Sequence, residues 1–278
     1  MELECASKDS QVVKEHPDWV LRYNGTPIPG TRNRVYLDFS RPEVRAWAKA
    51  VIDRLVQQDK VDWIKMDYNV NIGEEFDPAA FSQRTGTVLR DHLKAYFAML
   101  DGVRRAYPKL IIEDCSSGGT RIDLQIMSRM DTAYISDNLR PKSKVQLEYG
   151  CTLEFAPEIC NHWVVDNGSD ESITPSDSPE WLKTLFRLPM LGELGMSARV
   201  AHWTPAQMEI AKQSIDDYKR IRPIIASGDV YHLTPPPQAG ESPTGWMAIQ
   251  YVSRDAAHSA MFVFRLAESD PKQTFHAG

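Results

Sequence analysis

Two aspartates, each closing a short apolar run, are the residues of this sequence best suited to chemistry. Asp67 ends the run Val61-Asp62-Trp63-Ile64-Lys65-Met66 and is followed by Tyr68-Asn69. Alternate residues of a strand share a face, so Lys65, Asp67 and Asn69 are expected to point together beyond the strand's end. An ammonium group nearby keeps a carboxylate ionised, as a nucleophile requires. Asp137 closes a second run, Thr132 to Ile135, within Ser136-Asp137-Asn138. Two carboxyl groups flanking one bond are what glycoside hydrolysis uses, about 5 to 5.5 Å apart for retention of configuration and roughly 6.5 to 9.5 Å apart for inversion. The sequence is compatible with both. Each aspartate alone also fits a salt-bridged, capping or solvated residue at a strand end.

Other chemistries have weaker support. Cys115-Ser116-Ser117-Gly118-Gly119 would let backbone approach a ligand closely, because glycine has no side chain to hold it away. It lacks the GxxxxGK[ST] spacing of a phosphate loop. Cys115 as a nucleophile would need a base, and neither His162 nor His202 sits in a recognisable triad setting. His162, in Asn161-His162-Trp163, reads more simply as a structural histidine. No HxH or HExxH pattern suggests a metal site. Trp19, Trp63, Trp163 and Trp203 are candidates either to stack on sugar faces or to pack the interior.

Short β-branched or aromatic runs alternating with longer amphipathic stretches must position these residues, the pattern of βα units feeding a parallel sheet. Strands are expected at Arg34 to Phe39, Val61 to Met66, Leu110 to Ile112 and Thr132 to Ile135, with further candidates at Leu153 to Phe155 and Pro189 to Leu194. Helices are expected from Ser40-Arg41-Pro42-Glu43 to about Gln58, from Phe81 to Tyr107, and from Pro205 to Arg220 behind Thr204 as N-cap. Several strands run straight into polar clusters, and the active sites of α/β barrels lie at the C-terminal ends of their strands. After Pro235-Pro236-Pro237 the period changes to two, and Trp246 to Val252 and Ser259 to Phe264 read as a hairpin.

The chain has 278 residues and 42% apolar composition, enough for one large barrel or two ordinary domains. A net charge of −6, without a basic block, argues against nucleic acid as a partner. No stretch of eighteen apolar residues suggests membrane insertion, and the first residues do not resemble an export signal. The four cysteines form no CxxC pair, so reduced thiols in a cytoplasm are expected.

Taken together, the ordered segments resemble glycoside hydrolase family 36, the α-galactosidases and α-N-acetylgalactosaminidases. They are His16-Pro17-Asp18-Trp19, Leu37-Asp38-Phe39-Ser40-Arg41-Pro42-Glu43-Val44, Ile64-Lys65-Met66-Asp67-Tyr68-Asn69, Cys115-Ser116-Ser117-Gly118-Gly119-Thr120-Arg121, Ser136-Asp137-Asn138, and Tyr218-Lys219-Arg220-Ile221-Arg222-Pro223 leading to Ser227-Gly228-Asp229. The resemblance spans roughly residues 7 to 265. It implies an α/β fold, a (β/α)8 TIM-type barrel over residues 1–232 that lacks its N-terminal part, followed at 233–278 by the start of a β-sandwich. It further implies retaining double displacement on α-galactoside oligosaccharides or aryl galactosides, with no metal or organic cofactor. Asp67 matches the nucleophile and Asp137 the acid/base. Lys65, Asn69, Cys115 and Gly118 match positions that hold galactose hydroxyls, and Arg32 matches a substrate-contacting arginine. Met66 stands where the family usually has tryptophan, Thr120 where it has glycine and Leu139 where many members have threonine; these departures bear on sugar and aglycone preference.

Relative to that family the chain enters near the second barrel strand, at Met1 to Cys5. An eight-stranded barrel has no free edge, so the resemblance predicts either a second copy closing the gap, as a homo-oligomer, or an open barrel of marginal stability. Two other functions fit the same residues: an α-N-acetylgalactosaminidase, or a catalytically silent chain that binds sugar or scaffolds a partner.

Overall fold

The computed structural model describes residues 1–23, 25–28, 33–69, 83–166, 173–174, 176–237, 245–266 and 271–275. The chain forms two compact units, Met1–Ala133 and Tyr134–Gly278.

The first unit opens with β1 (Cys5–Ser7), α1 (Gln11–Glu15), the short ribbon β2 (Arg22–Tyr23) and β3 (Thr26–Pro27), and β4 (Arg34–Tyr36), which pairs antiparallel with β1. A βα alternation follows: α2 (Pro42–Gln57), β5 (Trp63–Asp67), α3 (Gln83–Ala106), β6 (Ile111–Cys115), α4 (Leu124–Met127) and β7 (Thr132–Tyr134). Pro42 occupies the first turn of α2, where its missing N–H costs nothing. Val44, Ala48 and Ile52 recur every fourth residue and form the buried face of α2. β5 and β6 are parallel, with Trp63 opposite Ile111, Lys65 opposite Glu113, and Asp67 opposite Cys115. Met66 and Asp114, on the alternate face, are buried, and Tyr96 of α3 reaches Met66 through its hydroxyl. The other edge of β5 is bonded by the first residue: the Met1 amino group donates to Lys65 O, and Asp67 N–H donates to Met1 O at 2.7 Å. Arg104, in the last turn of α3, donates to Leu110 O, Arg129 O and Asp131, anchoring the helix against the start of β6.

The second unit contains α5 (Pro141–Glu154), β8 (Cys160–Asp166), α6 (Pro179–Arg187), β9 (Glu193–Ala198) and α7 (Pro205–Ser227), then β10 (Asp229–His232), β11 (Trp246–Val252) and β12 (Ser259–Arg265). β8 and β9 are parallel; β10, β11 and β12 form an antiparallel sheet in that order. Gly195 stands opposite Trp163, and a Cβ there would come within 2.0 Å of the indole, so glycine is what admits the tryptophan. Thr204 and Gln207 close a capping box at the start of α7. One apolar core joins Leu182, Phe186 and Trp203 to Ile249, Tyr251 and Phe262, so the hairpin shares its interior with the helices before it.

Three expectations need correction. Leu153 to Phe155 is not a strand: Leu153 and Glu154 end a helix begun at Pro141, and a three-residue run carries too little periodicity to tell the two apart. Pro189 to Leu191 is a 3₁₀ turn, and the strand starts at Glu193. The thiols are not all reduced, because Cys151 of α5 and Cys160 of β8 form a disulfide with Cα atoms 6.3 Å apart. Sequence spacing gave no sign of it, since a helix end and a strand start had to be brought together first. His162 lies within β8, fully buried, with Nδ1 2.9 Å from Glu148 Oε1, in keeping with its structural reading. Among the described residues no helix is long and apolar enough to cross a membrane.

Thiol titration of the denatured, unreduced chain is expected to count two thiols, Cys5 and Cys115, and four would contradict the disulfide. Replacing Cys151 and Cys160 by serine is expected to lower unfolding stability by about 2–3 kcal/mol in urea, the loop-entropy contribution of a short closed loop.

Candidate active site

Parallel register builds one polar face from β5 and β6. Lys65 and Asp67 alternate along β5; Glu113 and Cys115 stand opposite them on β6. Both strands end at this point, so their last side chains meet the loops 67–69 and 115–121. Asp67 is half-buried at their junction. Tyr68 N–H donates to its Oδ1 at 2.9 Å, and the Asn69 amide, the Cys115 thiol and the Ser117 N–H also stabilise its charged form. Burial alone would raise the pKa of this carboxyl, but these groups outweigh it and hold the pKa of Asp67 below the ordinary carboxylate range. Asp67 is therefore a carboxylate at neutral pH, stabilised by dipoles.

Lys65 shares the face of Asp67 and is itself paired with a carboxylate of β6. Its ammonium is 3.0 Å from Glu113 Oε1, and the Trp63 indole N–H donates to Glu113 Oε2 at 3.1 Å. The cation is thus held one rung below the nucleophile candidate by a buried carboxylate. Asn69 is oriented from both ends of its amide: Ser117 Oγ donates to Oδ1 at 2.9 Å, and Nδ2 donates to Glu2 Oε1. Glu2 is in turn ion-paired with Arg34 at 2.9 Å. Burial pushes the Cys115 thiol up to about 12, so it is a neutral donor to Asp67 and no nucleophile.

The loop after Cys115 is tightly wound. Ser117 and Gly118 both have positive φ, +48° and +79°, and Ser116 N–H donates to Gly118 O at 2.7 Å. This turn is what directs the Ser117 N–H toward Asp67. Thr120 Oγ1 returns to Ser116 O, so the residue in the place of a family glycine serves the loop itself. Met66 points to the helix side, away from Lys65 and Asp67, which makes that departure a matter of packing.

Asp137 belongs to the second unit. It is exposed and follows β7 in a turn where Asn138 N–H donates to Ser136 Oγ at 3.0 Å. Arg32 lies outside the described residues. The four tryptophans divide: Trp19 stacks on His16 at 3.9 Å and is buried, Trp203 packs against Phe186, Trp163 lies against Tyr134, and Trp63 is 40% exposed beside Glu113. Behind the polar face lies a buried group that the motifs did not single out. Glu4 pairs with Arg121 at 2.9 Å and with His92 at 3.4 Å, and Asp114 is fully buried with neither carboxyl oxygen hydrogen-bonded among the described residues. Their signal in the sequence was faint, because Glu4 and Arg121 are 117 residues apart. Among the described residues no cluster of three side chains could hold a metal ion.

Residues 1–228 match the family model described as Melibiase. Among curated relatives, α-galactosidase 1 of Pediococcus pentosaceus is 26% identical over 96% of this chain and 35% of its own length. α-Galactosidase 2 of the same organism is 29% identical over 84% of this chain and 32% of its own. The chain thus spans about a third of the length of these relatives. Among solved structures, the family 36 α-galactosidase AgaA of Geobacillus stearothermophilus, in complex with raffinose, superposes with a TM-score of 0.80 at 25% identity, covering 95% of this chain and 36% of that one. The parallel strands and helices are accordingly part of a TIM-type barrel, with a short antiparallel sheet after it.

Asp114 offers a test of the buried layer. Burial first, then Glu4, Asp123 and Asp67, push its carboxyl up to about 7, while Arg121 opposes them. A carboxyl raised in the folded state costs stability as pH climbs above its unfolded value near 4, and the cost is complete above 7. Asp114→Asn removes the ionisation. It is expected to stabilise the protein on the order of 2–4 kcal/mol at pH 8 and little at pH 4, read by urea denaturation across that window. Equal effects at both pH values would contradict a buried, late-titrating Asp114.

Proposed function

The chain belongs to the Melibiase family, and from that premise we propose that it is the sugar-cleaving part of a retaining glycoside hydrolase that removes terminal α-linked galactose from oligosaccharides or aryl galactosides. The observation that carries the reading is Asp67: a carboxylate at a strand's C-terminal end, bonded by the Tyr68 N–H and held ionised, with a lowered pKa, by the donors of Asn69, Cys115 and Ser117. Such a group is ionised and aimed, the two requirements of a nucleophile. The named activity of the curated relatives and the raffinose bound by the Geobacillus structure support the choice of α-galactoside.

In this reading Asp67 attacks the anomeric carbon while Asp137 gives its proton to the leaving oxygen, and the glycosidic bond breaks. The sugar is then esterified to Asp67. Asp137, now a carboxylate, takes a proton from water, and the water oxygen displaces Asp67 from the same carbon. Two inversions leave the configuration unchanged. Lys65, held by Glu113, and Asn69, held by Ser117 and Glu2, offer an ammonium and an amide to sugar hydroxyls beside the nucleophile. Cys115 and Gly118 border the same space, and Arg32 is assigned there by the family resemblance.

Cleavage of an aryl α-galactoside by the full chain is expected to fall at least about 10⁴-fold in Asp67→Ala, a size typical for loss of a nucleophile. It is expected to be unaffected in Asp59→Ala, an exposed residue after α2. With a good aryl leaving group, Asp137→Ala is expected to slow release of the sugar more than the first step, and added azide is expected to restore turnover as galactosyl azide. Unchanged turnover without Asp67 would sink the proposal.

A further inference from the structure

Arg121 closes the loop that begins at Cys115, and its side chain is largely buried. Both terminal nitrogens bind Glu4, Nη2 to Oε1 at 2.9 Å and Nη1 to Oε2 at 3.1 Å. Glu4 is itself fixed. His92 accepts Phe39 N–H on Nδ1 at 3.3 Å, which leaves the Nε2 proton for Glu4 Oε2 at 3.4 Å. Held in this way, the guanidinium lies 4.2 Å from the centre of the Tyr68 ring and 5.6 Å from that of Tyr96. Tyr68 directly follows Asp67 and donates its N–H to it; Ser117, in the loop that Arg121 ends, bonds Asn69 at the same strand end, and its N–H also stabilises the Asp67 charge. Ser117 holds φ at +48°, a conformation that a residue with a side chain keeps only where its surroundings impose it. One end of that loop is anchored by the β6 ladder at Cys115, and the other by Arg121.

We propose that Arg121 is a positioning residue for the nucleophile. Clamped by Glu4 and stacked on Tyr68, it ties the loop 115–121 to the end of β5 and thereby keeps the N–H groups of Tyr68 and Ser117 on the Asp67 carboxylate. It touches neither the sugar nor the reacting atoms. The inference rests on the reading of Asp67 as nucleophile for its catalytic consequence, and on the geometry of the first unit for the rest. Arginine is required for its shape as well as its charge: a lysine can pair with Glu4 but offers no plane to Tyr68 and no second nitrogen to the carboxylate.

The test is a carboxyl-carbon NMR titration of the full chain, with Asp67 assigned by Asp67→Asn. Arg121→Lys conserves charge, so any change in the Asp67 titration reports geometry. Its midpoint is expected to rise by about one pH unit, a roughly tenfold gain in proton affinity on loss of a backbone donor. Tyr68→Leu, which keeps both Arg121 and Glu4, is expected to move it in the same direction. An unmoved midpoint in folded Arg121→Lys overturns the proposal. If that variant does not fold, Tyr68→Leu decides: a rise supports the proposal and an unmoved midpoint overturns it. Turnover of an aryl α-galactoside by the unsubstituted chain is followed separately. Its absence would remove the proposed activity and leave the titration to judge the positioning. Where turnover is present, the acid limb of kcat/KM rises with the midpoint and KM changes less.

Discussion

A slip of one residue between β5 and β6 would undo the candidate site. The present register sets Asp67 opposite Cys115 and Lys65 opposite Glu113, with Met66 and Asp114 turned to the helices. Because side chains alternate with a period of two, moving either strand by one residue would bury Lys65 among apolar groups or take Cys115 away from Asp67. The helix side enforces the register. Ile64, Met66 and Ile112 are almost wholly buried, and Ile112 N–H is further pinned by Asp131 at 2.7 Å. Packing that has no chemical role thus fixes the positions of the groups that have one.

Given that register, the electrostatics follow from which groups meet. The nucleophile candidate owes its lowered pKa to oriented dipoles, and the ammonium beside it is ion-paired with Glu113. Division of labour of this kind has a physical advantage. A direct ion pair at Asp67 would have to be broken before the carboxylate could attack, whereas amide and thiol donors can stay in place while its charge is lost to a new bond. The buried carboxylates behind the face are treated unequally: Glu4 has both Arg121 and His92, and its carboxyl is held low despite burial, while Asp114 has no hydrogen-bond partner among the described residues and is pushed up. Two acids on the same side of the sheet can differ so widely because one guanidinium cannot satisfy both.

The parts that were legible in the sequence are those whose signal is local. β5, β6 and β7 announced themselves as apolar runs ending in polar clusters, and α7 by Thr204 and Pro205. The hairpin of β11 and β12 was visible as a period of two. The motif Lys65-Met66-Asp67-Tyr68-Asn69 gave the order of groups along one strand, and the family resemblance supplied roles to propose for them. Illegible were the features made by distant residues. β8 was missed because Asn161 and His162 are polar yet buried, their polarity answered by Glu148 and by strand pairing. The Cys151–Cys160 bond, the Glu113 grip on Lys65 and the Glu2 contact to Asn69 join segments that only folding brings together. Lys65 itself shows the limit of a period-two argument. It chose the right face, but could not say which neighbour on that face would claim the charge.

As nucleophile, Asp67 must form a covalent bond to the sugar. Its most direct test is covalent trapping with a fluorinated α-galactosyl fluoride, whose electron-poor sugar leaves the enzyme slowly, followed by peptide mass mapping. One galactosyl residue per chain, on the peptide that carries Asp67, is the expected result. A chain that turns over the aryl galactoside but carries no adduct, or carries it on another residue, would contradict the account.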